Sequence, residues 1–94
     1  MSQEHRRVRS RVTGKVQGVG FRAWVQREAQ RLELRGWVRN EADGAVAMLI
    51  EGPPARVSKM LALLWEGPHA ASVSGVESEE AAPEGLLAGF EIKR

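Results

Sequence analysis

Arg7-Val8-Arg9-Ser10-Arg11-Val12-Thr13-Gly14-Lys15-Val16-Gln17-Gly18-Val19-Gly20-Phe21-Arg22 changes its periodicity part-way along. Over residues 7–13, Arg7, Arg9 and Arg11 alternate with Val8, Ser10 and Val12. That period of two belongs to a strand with one solvated face. Gly14 to Gly20 is a glycine-rich turn. From Phe21 onward the spacing is helical: Phe21, Trp24, Val25, Ala29 and Leu32 form one stripe, with Arg22, Gln26, Arg27, Gln30, Arg31 and Glu33 around it. Gly36 stands where a C-terminal cap would stop that helix.

A strand, a glycine turn and a helix in direct succession frame the rest of the chain. Residues 36–40 and 45–51 read as two strands of a hairpin turned at Asp43-Gly44. Gly52-Pro53-Pro54 punctuates, and proline suits the first turn of the helix that follows. In that helix Val57, Met60, Leu61 and Leu64 share one face, and Gly67-Pro68 ends it. Residues 71–79 form a weaker strand with a bulge near Gly75, because Val73 and Val76 are out of register. Pro83-Glu84-Gly85 turns the chain into a last strand, where Phe90 and Ile92 share a face. The order β-α-β-β-α-β plus a short terminal strand predicts an α+β fold, the ferredoxin-like sandwich: an antiparallel sheet with two helices on one face. No repeat, low-complexity stretch or linker interrupts it. One domain over residues 1–94 is expected, with residues 1–6 a flexible N-terminal extension. Residues 45–50, Ala-Val-Ala-Met-Leu-Ile, are more uniformly apolar than an alternating strand; either the second sheet face is covered or it self-associates.

Composition removes whole classes of function. The 94 residues include no cysteine, so disulfide scaffolds, thiolate nucleophiles and zinc fingers are excluded. His5 and His69 are the only imidazoles, too few for a buried transition-metal site, and neither a metal nor a cofactor is expected. The longest apolar run, residues 45–50, is far too short for a bilayer, and the N-terminus is polar and arginine-rich, unlike a signal peptide. A cytoplasmic protein without a membrane partner is the expectation, and at this size a monomer. The net charge of +2 conceals a division: residues 1–40 carry +7 and residues 41–94 carry −5. A basic first half fits either a phosphate-bearing partner or a solvated basic face.

The glycine turn bears on that choice. Its glycines permit positive φ and let several N–H groups converge on one point, and a helix N-terminus directly behind adds partial positive charge. Arg22, at the start of the helix, has a planar fork able to hold two oxygens of one phosphate. Gly18-x-Gly20-x-x-Ala23 matches the dinucleotide fingerprint in form, with Glu41 or Asp43 near the place of a ribose-binding acid. That fingerprint needs a parallel βαβ sheet, whereas a hairpin follows here. No Gly-Lys-Ser/Thr closes the loop, so the Walker pattern fails too. On spacing alone the turn is either a phosphate cradle or a structural glycine turn.

Gly14-Lys15-Val16-Gln17-Gly18-Val19-Gly20-Phe21-Arg22 resembles the signature of the acylphosphatase family. Gly36-Trp37-Val38-Arg39-Asn40, followed by Asp43-Gly44 and a strand, resembles that family's second signature. Weaker echoes run through Glu51-Gly52-Pro53, Gly67-Pro68 and Phe90-Glu91-Ile92, so the likeness spans residues 7–94. The resemblance implies the ferredoxin-like fold and hydrolysis of acyl phosphates to carboxylate and inorganic phosphate, without a metal. It further implies that Arg22 and the loop amides of Gln17, Gly18, Val19, Gly20, Phe21 and Arg22 bind the phosphoryl group. Asn40, the only asparagine in the chain, would orient the attacking water. Acyl phosphates carry a good leaving group, so positioning and charge stabilisation suffice for in-line displacement. Read without the likeness, Asn40 is a strand-end residue that satisfies a turn.

Other residues read more plainly. His69 is a surface loop histidine; Trp24, Trp37 and Trp65 are core or half-buried packing, Trp37 having the best claim to edge the site. Arg6, Arg7, Arg9 and Arg11 form a solvated strand face. Glu77, Glu79 and Glu80 solubilise or protect a sheet edge, and Lys15 stands at the site rim. Two rival functions remain: a non-catalytic phosphate- or small-ligand-binding domain, and an RNA-binding module suggested only by the basic half. Aromatics at 5% and the lack of an aromatic-rich RNA-binding strand argue against the latter, and no nucleic-acid partner is expected. The expected partners are the acyl phosphate substrate and inorganic phosphate as product.

Overall fold

The structure is a computed structural model that describes residues 5–82 and 84–94. The expected N-terminal extension and the turn at Pro83 therefore fall partly outside the described residues. Arg6 does not belong to an extension: it opens the first strand, paired with Gly52.

The elements are β1 (Arg6–Lys15), α1 (Phe21–Arg31), β2 (Arg35–Asn40), β3 (Val46–Gly52), α2 (Pro54–Leu64), β4 (Ser72–Glu80) and β5 (Phe90–Lys93). The strands form one sheet in the order β4-β1-β3-β2-β5. This is the ferredoxin-like sandwich predicted from the pattern, with one correction. The pairings β1–β3, β1–β4 and β2–β3 are antiparallel, but β5 pairs parallel to β2, so the sheet is mixed. Connectivity explains the direction. β4 runs antiparallel to β1 and ends beside the start of β1, the same end of the sheet at which β2 begins. The chain crosses that end and enters the free edge of β2 running the same way as β2.

Val8 and Val12 of β1, Val38 of β2, and Val46, Met48 and Ile50 of β3 meet Phe21, Val25 and Ala29 of α1 and Val57, Met60 and Leu64 of α2 in a buried core. The predicted stripes of both helices are the buried ones, because a 3.6-residue period places those side chains on one side. On the other sheet face Leu49 is also buried, flanked by its cross-strand neighbours Arg9 and Trp37, while Ala47 on the same face is half-buried. The predicted bulge is present: Thr13 stands opposite Gly75 and Gly14 opposite Val73, leaving Ser74 as the extra residue. Val73 and Val76 consequently both pack against the core.

α1 does not stop at Gly36. Glu33 adopts the left-handed conformation at φ 59°. Its N–H bonds to the Gln30 carbonyl, and the Leu34 N–H to the Ala29 carbonyl at 2.8 Å, the paired bonds of a Schellman motif. Gly36 lies within β2 at φ 145°, where a Cβ would stand 1.8 Å from the Leu49 carbonyl oxygen. That glycine serves close strand approach rather than helix termination. No helix among the described residues is long and apolar enough to cross a membrane.

The charge division resolves within the fold. Arg6, Arg7, Arg9, Arg11 and Arg39 each meet an acid from the second half of the chain: Glu80, Glu51, Glu79, Asp43 and Glu41 respectively. Arg7 departs from the solvated face expected of it. It is 7% exposed, bonds Glu51 Oε1 through Nε at 2.5 Å, and donates to the carbonyls of Glu84 and Gly85. It thereby fastens the crossing segment that leads into β5. Trp65 is 56% exposed rather than packed, whereas Trp24 packs against Phe21 in a tilted arrangement with ring centroids 5.6 Å apart.

Candidate active site

The ends of β1, β2 and β5 converge with the N-terminus of α1 at one end of the sheet. The hand-over from β1 to α1 runs through Gly18 and Gly20, at φ 76° and 78°. A Cβ at either position meets nothing within 4 Å, so the left-handed backbone, not space, requires glycine there. Gly20 occupies the N-cap of α1 and offers no side-chain cap, and no acidic residue lies in the first turn. The first helical bond is the Trp24 N–H to the Gly20 carbonyl, at 3.0 Å. The N–H groups of residues 17–23 therefore lack an acceptor among the described residues. Donors left open at a helix N-terminus attract an anion.

Five of these residues, Gly18, Gly20, Phe21, Arg22 and Ala23, line a concavity of about 200 Å³ together with Val16, Asn40 and Ile92. Arg22 is half-buried; its Nη1 donates to the Lys93 carbonyl at 3.3 Å. No carboxylate lies within ion-pair distance of it among the described residues, in contrast to the five arginines of β1 and β2 that meet an acid. Asn40 closes β2, and its Oδ1 is buried without a hydrogen-bond partner among the described residues. A buried acceptor left unpaired costs about 1–3 kcal/mol. The turn reading of Asn40 does not account for it, because residues 41–45 close on themselves. The Glu41 N–H bonds the Ala45 carbonyl, the Gly44 N–H the Glu41 carbonyl, and the Ala45 N–H the Asp43 Oδ1.

Of the loop residues predicted from sequence, Gly18, Gly20, Phe21 and Arg22 border the concavity together with Asn40, while Gln17 and Val19 do not. The Gln17 side chain turns instead to the hairpin, its Nε2 donating to the carbonyls of Glu41 and Ala45, both at 2.8 Å. Val19 packs toward the core, and Phe21 is buried, leaving only its backbone to the site. Lys15 and Trp37 are not lining residues. Trp37 lies on the open sheet face, with the Arg39 and Lys93 cations 4.9 and 5.2 Å from its ring centroid. Val16, Ala23 and Ile92 complete the lining. Ile92 had a signal in the sequence, its shared face with Phe90, but only the pairing of β5 beside β2 brings it here.

A strand–glycine turn–helix cradle facing a strand-end asparagine is thus assembled on a ferredoxin-like sheet, and comparison with known proteins identifies its lineage. The acylphosphatase family model matches residues 8–92. The chain belongs to the acylphosphatase family. An acylphosphatase from Rhizobium meliloti (strain 1021) is 53% identical over 94 residues, covering 100% of this chain and 99% of the relative. One from Salinibacter ruber (strain DSM 13855 / M31) is 42% identical, covering 95% of this chain and 94% of the relative. The solved structure of an acylphosphatase from Coxiella burnetii superposes with a TM-score of 0.92 at 36% identity, covering 99% of this chain and 100% of that one. As an acylphosphatase, the chain is an enzyme that hydrolyses acyl phosphates, and the non-catalytic binding domain gives way to it.

Proposed function

We propose that this acylphosphatase cleaves its substrate by in-line attack of water on phosphorus, without a metal ion. The open amides of residues 17–22 and the Arg22 guanidinium hold the phosphoryl oxygens, and Asn40 orients the water. The water oxygen forms the new bond to phosphorus, the bond from phosphorus to the carboxyl oxygen breaks with its electron pair, and the departing carboxylate needs no protonation. The water's proton passes to the phosphate product or to solvent, in keeping with a concavity in which Arg22 is the only titratable side chain among the described residues. Such a site works by holding charge and geometry in place rather than by acid–base exchange.

The observation that carries this reading is the buried Asn40 Oδ1 without a partner, in the same concavity as Arg22. A buried acceptor that no protein group pairs is suited to receiving a hydrogen from the attacking water. The reading includes a location in the cytoplasm, and a monomer, the latter because one chain supplies every group invoked. It includes no nucleic-acid partner, since the arginines of β1 are engaged with acids. Hydrolysis of a small acyl phosphate in ¹⁸O-labelled water with a chelator present tests it. Full turnover with label in phosphate is expected; label in the carboxylate, or loss of turnover to the chelator, would overturn it.

A further inference from the structure

The groups assigned to catalysis come from two segments with no covalent reason to stay in register: the loop after β1, which carries the open amides, and the end of β2, which carries Asn40. One side chain joins them. Gln17 Nε2 donates to the carbonyls of Glu41 and Ala45 at 2.8 Å each, using both of its hydrogens. Both partners are carbonyl oxygens, so the amide nitrogen, not its oxygen, must face them. These carbonyls stand at the two ends of the turn that begins directly after Asn40. The other side of that turn is held by the Arg11–Asp43 ion pair.

We propose that Gln17 is a positioning residue whose side chain fixes Asn40 relative to the phosphate loop. The proposal rests on the reading of Asn40 as the water-orienting group. It differs from a general role in stability for a reason visible in the turn. The Ala45 carbonyl also accepts the Glu41 N–H, and the Glu41 carbonyl the Gly44 N–H. The turn therefore keeps its own hydrogen bonds when Gln17 is removed; what is lost is the link between turn and loop. The loop amides, carried by the Gly18–Gly20 backbone and the start of α1, still bind phosphate. Loss of the strut accordingly falls on kcat, where water and phosphorus must be aligned, and spares phosphate affinity.

A double-mutant cycle with steady-state kinetics on a small acyl phosphate tests this. In Gln17→Met, which keeps the length and removes the donor, kcat falls about tenfold, while KM and the inhibition constant of inorganic phosphate change less than about threefold. In the Asn40→Ala background the same substitution changes kcat less than about twofold, because the group it positions is gone. Gln17→Glu adds a second signature. A protonated carboxyl can donate to one of the two carbonyls, whereas the carboxylate faces both as an unpaired charge. Its kcat therefore falls as pH rises through the carboxyl titration, while the wild-type kcat stays flat. Equal losses in both backgrounds, a rise in KM and in the phosphate inhibition constant at unchanged kcat, wild-type kinetics, loss of phosphate binding in Gln17→Met, or a flat profile for Gln17→Glu would each overturn the proposal. The underlying reading fails separately, through undiminished kcat in Asn40→Ala alone.

Discussion

The two ends of the sheet invert the usual relation between cavity size and function. At the start of β1 lies the larger concavity, about 610 Å³, bordered by Arg6, Arg7, Glu51 and Glu80 and by Leu86, which is 98% exposed. Its charges are consumed internally: Arg6 grips Glu80, and Arg7 grips Glu51 and two carbonyls of the crossing segment. At the far end the smaller concavity holds Arg22 without a carboxylate, amides without acceptors, and Asn40 Oδ1 without a partner. Polar groups satisfied by the fold have no capacity left for a ligand. The proposed function is placed where the fold leaves hydrogen-bonding capacity unspent and bears the cost.

The sharpest test removes the unpaired cation. Arg22→Ala is expected to lower kcat/KM about 10³-fold, the scale of an arginine acting on a transferring phosphoryl group. Thermal unfolding should stay near wild type, because the side chain's one bond among the described residues, to the Lys93 carbonyl, is long at 3.3 Å. The matching substitution at the other end should do the reverse. Arg7→Met strands Glu51 in a buried position and is expected to cost about 3 kcal/mol in chemical denaturation, with kcat/KM of the folded enzyme unchanged. If Arg7→Met instead lost activity without losing stability, the division of labour between the two ends would break.

Asn40→Ala sharpens the comparison from the side of stability. It should lower kcat about 10²-fold with KM little altered, as expected for a group acting on the attacking water rather than on bound phosphate. It should also leave the protein as stable as wild type or more so, because it deletes a buried acceptor that nothing satisfies. Lost stability alongside lost activity would show Asn40 to be a structural residue after all.

What was legible in the sequence divides along a similar line. Periodicity disclosed β1, both helices, the hairpin and even the bulge beside Gly75, because each is written in neighbouring residues. Gly36 was misread because two different demands select glycine. Glu33 supplies the left-handed cap unaided, while Gly36 is needed for contact with Leu49, a residue of another strand. Arg7 was misread because alternation tells which face a side chain takes, not what later covers that face. Its cover comes from residues 84–85, on the crossing segment that also makes β5 parallel to β2. In the site, Arg22 and Asn40 were legible through motif resemblance. The side-chain role of Gln17 was not, since its acceptors lie 24 and 28 residues away.

The smallest expected effect concerns the Arg6–Glu80 pair, and it asks whether pairing at the larger concavity is electrostatic or only a matter of packing. Arg6 donates to the Glu80 carboxylate through two groups, Nη2 to Oε2 and an Nε–H shared between both oxygens, and holds its carboxyl below the usual carboxylate range. A carboxyl with a lowered folded pKa contributes stability that is complete above its unfolded value, about 4.3, and vanishes as pH falls through the folded value. Glu80→Gln should therefore melt slightly below wild type at pH 7, with the gap narrowing only beneath that value and closing once Glu80 is protonated. High salt should shrink the same gap at neutral pH, because the pair is exposed. Activity should not follow either change. A gap that ignores both pH and salt would mean that Glu80 matters as a packed side chain, and that the larger concavity owes its silence to shape rather than to charges already paired.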